Sequence, residues 1–293
     1  MTASVALPEH PLAWLDGRLQ PLDQARVPVL DRGFLFGDGV YEVIPVYGGR
    51  PCRLEQHLER LAASLAATAI PDPHDRAGWQ RMLRELVAAN GGGDLALYLQ
   101  VTRGVAPVRD HAIAPGLVPT VFAMAMPLPP RSPQVAAQGI RAITLADSRW
   151  ALCQIKAITL LANVLHKQTA TEQGADEALL VRDGLVIEAT ASNVFAVLDG
   201  VLVTPPIDPG MLTGVTRGLV LELADRDGIE TREAALPAAR LTGASEIWVT
   251  SSTREVSPVT SLDGTAVGAG RPGPLWRTMD RLYQEYKAGL ARA

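Results

Sequence analysis

The chain carries only three lysines, Lys156, Lys167 and Lys287, against two dozen arginines. Lys156 lies in an apolar stretch, Trp150 to Leu161. An amine can lose its proton when desolvated and can condense with a carbonyl; a guanidinium can do neither. On the lysine alone, a solvated residue snorkelling from an amphipathic helix is the commoner reading. Four other stretches alter that balance. Val186 to Phe195 places Glu188 at the end of an apolar strand, before small residues that let a flat ligand approach the backbone. Gly214-Val215-Thr216-Arg217 opens a helix, where unpaired amides and the dipole favour an anion. Thr250-Ser251-Ser252-Thr253 ends a strand in hydroxyls and amides, a second cradle for phosphate. Arg60, on a helix between Leu58 and Leu61, is a fixed positive charge. Taken singly, Thr216 also reads as a helix cap, Ser251-Ser252 as a turn and Arg60 as a solvated helix face.

Together these residues supply the parts that pyridoxal 5'-phosphate demands. A lysine holds the aldehyde, an acid keeps the pyridine nitrogen protonated, and cationic or N–H groups hold the phosphate.

The elements that must position them follow from periodicity and turn chemistry. Trp14 to Leu19 reads as a hairpin around Asp16-Gly17. Asp31 to Gly39 reads as a glycine-punctuated loop feeding a strand, Val40 to Tyr47. Alternation puts Tyr41, Val43 and Pro45 on one face and Glu42, Ile44 and Val46 on the other; Pro45 implies an edge or bulge. Leu54, Leu58, Leu61, Leu65 and Ala69 recur at helical spacing, and a second helix spans about Arg76 to Ala89. Strands Leu95 to Arg103 and Val118 to Met126 follow, joined by a loop holding Arg109, Asp110 and His111. Four prolines between Pro127 and Pro133 predict a stiff connector. The domains expected are therefore 1–126, a linker over 127–137, and 138–293 carrying Lys156. The second half reads as a strand (Ile140 to Leu145), Lys156 with a helix to about Gln173, and strands Glu177 to Arg182, Leu185 to Glu188 and Val194 to Leu198. A helix from Gly214 to about Arg226, a strand Glu246 to Thr250 and a last helix from about Leu275 to Ala288 complete it. Strands and helices mix without a strict βαβ rhythm, so the fold class is α+β, two mixed α/β domains.

The net charge of −4 points to neither nucleic acid nor an anionic membrane. No apolar run approaches the roughly 18 residues of a membrane span, and Met1 to Pro11 lacks the pattern of a signal peptide. Cys52 and Cys153 are isolated, with no metal-type spacing, which makes reducing cytoplasm the expected compartment.

The ordered set Phe36 to Glu42, His57 to Leu61, Ile155-Lys156, Glu188 to Phe195, Gly214 to Arg217 and Thr250 to Thr253 resembles the fold type IV pyridoxal-phosphate enzymes, from about Trp14 to the last helix. That family includes D-amino-acid and branched-chain aminotransferases, aminodeoxychorismate lyases and (R)-selective amine transaminases. The resemblance implies that Lys156 carries the internal aldimine and shuttles the α-proton, for which it needs a depressed pKa. It also implies that Glu188 pairs with the pyridinium nitrogen. Arg60, Val215, Thr216 and Ser252 then hold the phosphate, and Leu212 packs near the ring.

Within the family, the loop Gly104 to His111 discriminates. In the D-amino-acid aminotransferases an Arg-x-His in this loop reaches in from a partner subunit and joins the strand tyrosine to trap the substrate carboxylate. Arg109, His111 and Tyr41 match it, and Trp150 also matches the D-specific pattern. The resemblance implies a homodimer with the active site at the subunit interface, acting on amino acid and 2-oxo acid substrates. The expected reaction passes an amino group from a D-alanine-like donor to an acceptor such as 2-oxoglutarate, ping-pong through pyridoxamine phosphate. Departures are Pro45 where a polar or basic residue is usual, Ala189 for Gly, Ala191 for Ser, and Asp110 between the two trap residues, which alternation turns away. Aminodeoxychorismate lyase, amine transaminase and branched-chain aminotransferase stay as alternatives, with a non-enzymatic scaffold more remote.

Overall fold

The structure, a computed structural model, describes residues 8–292. Most of the Met1 to Pro11 stretch read above as no signal peptide lies outside that range. The chain divides into two compact units. The first is Met1–Pro130 with Ile155–Thr159 and Gly289–Ala293; the second is Arg131–Gln154 with Leu160–Ala288.

The first unit is built on a six-stranded antiparallel sheet. Its strands are β1 (Leu12–Leu15), β2 (Arg18–Pro21), β3 (Gly39–Tyr47), β4 (Arg50–Pro51), β5 (Leu95–Thr102) and β6 (Thr120–Pro127), in the order β2-β1-β6-β5-β3-β4. Helices α2 (Leu54–Ala67) and α3 (Arg76–Ala89) supply Leu58, Leu61, Leu65, Met82, Leu83 and Leu86 to a core shared with Ile44, Leu97 and Leu99. The opposite face carries Tyr41, Tyr98 and Phe122, all half-buried, so the alternation predicted for β3 is present. The expected loop before β3 contains a short helix, α1 (Arg32–Phe36). Asp31 caps it by accepting from the Gly33 amide, and Gly37 closes it in the left-handed conformation.

The second unit holds a ten-stranded mixed sheet. Its strands are β7 (Ile140–Ala146), β8 (Glu177–Arg182), β9 (Leu185–Ala189), β10 (Asn193–Leu198), β11 (Val201–Thr204), β12 (Thr231–Glu233), β13 (Leu236–Pro237), β14 (Glu246–Ser251), β15 (Glu255–Leu262) and β16 (Thr265–Ala266). The order is β12-β11-β10-β14-β15-β7-β8-β9-β13, with β16 on β15. Helices α4 (Pro133–Gln138), α5 (Leu161–Glu172), α6 (Val215–Arg226) and α7 (Pro274–Arg292) belong here, apart from the last turn of α7. Part of the expected linker is therefore helical, because Ser132 caps α4 and Pro133 sits at its first position. Leu219, Val220 and Leu223 of α6 and Trp276, Met279 and Tyr283 of α7 pack with Phe195 and Trp248. Among the described residues no helix is long and apolar enough to cross a membrane.

Candidate active site

Lys156 does not lie on a helix. α5 begins five residues later, and the lysine occupies an irregular segment along the outer edge of β3. Tyr41 N–H donates to the Lys156 carbonyl at 2.9 Å, Ile158 N–H donates to the Gly39 carbonyl at 3.0 Å, and Ala157 bridges Val40. The amide of Tyr41 thus points outward from β3, and that of every second residue with it, so the absent N–H of Pro45 falls on the same outer edge. Pro45 keeps its carbonyl in use there, accepting from Cys52 N–H at 2.8 Å. Gly39 has to be glycine: a Cβ would lie 2.8 Å from the Val101 carbonyl oxygen and 3.0 Å from Ile158 Cδ1. The Lys156 amide donates to Ser64 Oγ of α2 at 3.2 Å, and its Nζ stands 4.2 Å from the centre of the Tyr41 ring. The segment read with the C-terminal half therefore belongs with the first unit.

The inward face of β3 places Glu42, fully buried, against α2. Arg60 donates Nε to Glu42 Oε1 and Nη2 to Oε2, each at 2.8 Å, and His57 Nδ1 lies 2.7 Å from Oε2. His57, Arg60 and Ser64 sit three and four residues apart, on one face of the helix. Burial would raise the Glu42 carboxyl, but Arg60 and then His57 outweigh it and hold it at about 2. Burial also lowers His57, against the pull of Glu42. The result is a guanidinium whose orientation is fixed from behind by two charge-assisted bonds. Arg60 is not a solvated helix face.

Arg109, Asp110 and His111 are exposed. Arg109 Cζ lies 4.9 Å from the centre of the Phe36 ring and the His111 ring 5.2 Å from it, so one aromatic side chain gathers the two predicted trap residues. Asp110 accepts from the Ala112 amide at 3.0 Å, a local turn that occupies its carboxylate.

In the second unit Glu188, 5% exposed, lies one residue before the end of β9, close to the strand end expected for it. Arg149 Nη1 donates to its Oε1, while the Leu212 amide at 3.3 Å and Asn193 Nδ2 at 3.4 Å approach Oε2. Asp147 receives Arg149 Nε and Nη2, both at 2.9 Å, and Arg182 at 2.8 Å. Burial opposes charge on Asp147, yet Arg149 holds its carboxyl below the usual range. Asn193 ties Glu188 to the residues that lead into α6. Its Nδ2 donates to the Leu212 carbonyl at 2.8 Å, and its Oδ1 occupies the space of a Cβ on Gly214, 1.8 Å from that position. Gly214 caps α6 without a side chain, and no acid stands in the first turn, so the amides at Val215 and Thr216 suit an anion. Arg217 is turned away to the Pro205 carbonyl and Glu233. Thr250 pairs with Asn193 across the sheet and leads into Ser252.

Residues 39–262 match the Amino-transferase class IV family, and that span holds Tyr41, Arg60, Lys156, Glu188 and Ser252. The chain belongs to the class IV aminotransferases. A D-alanine aminotransferase of Bacillus licheniformis is 44% identical over 270 residues, covering 92% of this chain and 94% of its own. One from Listeria monocytogenes is 37% identical over 272 residues, with 92% and 94% covered. Among solved structures, a branched-chain aminotransferase from the archaeon Thermoproteus uzoniensis with norvaline aligns with a TM-score of 0.86 at 28% identity, covering 96% of this chain and 96% of that one. A fold IV transaminase of Curtobacterium pusillum aligns at 0.80 and 31% identity, with 91% and 93% covered. The fold type IV reading thus stands, and with it pyridoxal phosphate as the cofactor of this class IV aminotransferase.

The residues fit that cofactor on their own terms. Ser192 Oγ and Thr250 Oγ1 are buried without a hydrogen-bond partner among the described residues. Such hydroxyls are costly unless something polar meets them, and Thr250 adjoins the Asn193 hub beside the uncapped start of α6. Sequence reasoning assigns no role to Arg149, Ser64, Glu42 or Asn193. Glu42 and Asn193 do lie inside the motifs singled out above. Arg149 stands next to a matched Trp150, and its only signal is one more arginine.

Proposed function

We propose that this aminotransferase moves the amino group of a D-amino acid such as D-alanine to a 2-oxo acid such as 2-oxoglutarate. The observation that carries the reading is the loop presenting Arg109 and His111 together, in a chain whose relatives are D-alanine aminotransferases. A guanidinium fork receives a carboxylate bidentately, and Tyr41 lays its ring beside Lys156 Nζ.

When bound, pyridoxal phosphate supplies an aldehyde for amine exchange and a ring that accepts the electron pair released at the substrate α-carbon. Lys156 Nζ then takes the α-proton and later returns it, the general acid–base work of an amine held on a rigid edge. Glu188, oriented by Arg149, Asn193 and the Leu212 amide, holds a proton at the pyridine nitrogen. Arg60, locked by Glu42, provides fixed positive charge for the phosphate, and the amides of Val215 and Thr216 with Ser252 provide donors. Leu212 would lie against the cofactor ring.

The same proposal includes a cytoplasmic homodimer in which the loop of one copy completes the site of the other. Val29, Phe34, Val108 and Val118 are 64–78% exposed around that loop and α1, an apolar surface suited to a second copy. A branched-chain reading is favoured by the solved neighbours, so the test sets the two against each other. Initial rates with D-alanine, L-alanine and L-leucine, each with 2-oxoglutarate, are expected to favour D-alanine in kcat/KM by roughly 100-fold or more. Faster turnover of L-leucine would overturn the reading.

A further inference from the structure

The buried arginine of α1 makes contacts that the transamination chemistry does not use. Arg32, 4% exposed, spends both terminal nitrogens of its guanidinium on one loop. Its Nη1 donates to the carbonyls of Asp110 at 2.6 Å and Ala112 at 3.3 Å, and its Nη2 donates to that of His111 at 3.2 Å. Its Nε donates to Asp38 Oδ2 at 2.7 Å. Asp38 is held in turn by Arg103, at 2.8 and 3.0 Å. Arg103 also binds the Thr68 and Ala69 carbonyls, at 2.8 and 3.0 Å. Burial opposes charge on Asp38, but Arg103 and Arg32 keep its carboxyl below the usual range. The Arg32 guanidinium lies 4.9 Å from the centre of the Phe36 ring, the same distance as that of Arg109. Phe36 thus meets two guanidinium groups, one holding the loop backbone and one at the loop's working tip.

Three successive carbonyls gripped by one buried cation are unusual in an exposed loop, whose backbone ordinarily turns to water. The loop is further pinned at its base, where Arg32 N–H donates to the Gly104 carbonyl and Ala106 N–H to that of Leu30. From these contacts we infer that Arg32 and Phe36 are positioning residues for substrate carboxylate recognition. Arg32 sets the reach of the 109–111 tip, and Phe36 fixes the plane of the Arg109 guanidinium by stacking. Affinity for any carboxylate substrate then depends on α1, a helix that bears none of the reacting groups. The preorganisation matters because a floppy arginine would lose side-chain and loop entropy at every binding event.

This inference rests on the carboxylate role of Arg109, and the test separates the two. The dissociation constant of propanoate, a carboxylate without an amine, is titrated against the visible band of the holoenzyme. KM and kcat for D-alanine are measured alongside. Arg109→Ala is expected to raise both the dissociation constant and KM on the order of 30-fold. Arg32→Lys and Phe36→Leu are each expected to raise them roughly tenfold, with kcat within about threefold, since Lys cannot reproduce the fork and Leu cannot stack. Adding either change to Arg109→Ala is expected to cost clearly less than the same change alone, because both act largely through that guanidinium. Should Arg32→Lys fail to fold, Phe36→Leu carries the same prediction with the Arg32 contacts to the loop left in place. An Arg109→Ala enzyme that binds propanoate normally would overturn the carboxylate role itself. A weakened Arg109→Ala beside unaffected Phe36→Leu and Arg32→Lys would overturn the inference alone, as would penalties that simply add.

Discussion

Among single residues, the decisive ones are groups that hold other groups. Glu42 touches no substrate, but it sets Arg60. Its carboxyl stands at about 2 in the folded protein against an ordinary 4.5, so it contributes stability that is complete above pH 4.5 and is lost as the pH falls toward 2. Glu42→Gln removes the negative charge that Arg60 and His57 both face. We expect about 3–5 kcal/mol lower stability at pH 7 by urea unfolding, with a flatter profile between pH 4.5 and 2. Cofactor affinity of the refolded variant should fall at least tenfold by fluorescence titration. Unaltered acid unfolding in Glu42→Gln would dismiss the assignment. Arg149 offers a second case. Arg149→Gln keeps hydrogen-bonding capacity but removes the charge facing Glu188, and kcat/KM should drop roughly 10–100-fold while the phosphate-side contacts still retain cofactor. An enzyme with normal kcat/KM would remove Arg149 from the machinery. These two residues explain what is legible in the sequence. Lys156, Glu188 and Arg60 stand out because amine, acid and cation each have a chemistry readable from type and local setting. Arg149 reaches Glu188 and Ser64 reaches Lys156 across 39 and 92 residues of sequence, and no local pattern announces such pairs.

At the scale of elements, the placement of Lys156 depends on the open edge of β3. Gly39→Ala should push the 155–159 segment off that edge, since the Val101 carbonyl and Thr102 Cα are backbone atoms that cannot swing aside. Destabilisation of about 1–3 kcal/mol by thermal unfolding is expected, with slower borohydride trapping of cofactor on Lys156. Wild-type behaviour on both counts would show that the segment tolerates a different path. The periodic elements are readable from sequence. α3 and α6 match their expected spans, and Asp-Gly marks the first hairpin. Lys156 reads onto the helix that follows because Ala157 to Leu161 is apolar, whereas backbone bonds to β3 keep it extended. β15 escapes the sequence reading because Pro258 interrupts its run. The proline precedes Val259, the first residue paired to β7, and so costs that ladder nothing. α1 escapes it through brevity, five residues being too few to show a period.

At the scale of the whole molecule, the chain assembles its parts from distant sequence. Residues 155–159 return to the first unit after the chain has entered the second, a crossing that a proline-rich boundary could not announce. The exposed apolar group around α1 predicts association, and sedimentation of the holoenzyme should give twice the 31.2 kDa of one chain. Phe34→Glu, on a side chain 74% exposed, should shift that equilibrium toward monomer and depress activity in proportion. Full activity in a monomeric variant would remove the partner's loop from the site. Whether this scaffold serves a D-amino-acid half-reaction is read from the visible spectrum of holoenzyme during separate additions of D-alanine and L-alanine without acceptor. The cofactor band should bleach with the D-isomer alone. Bleaching by the L-isomer, or by neither, would contradict that role.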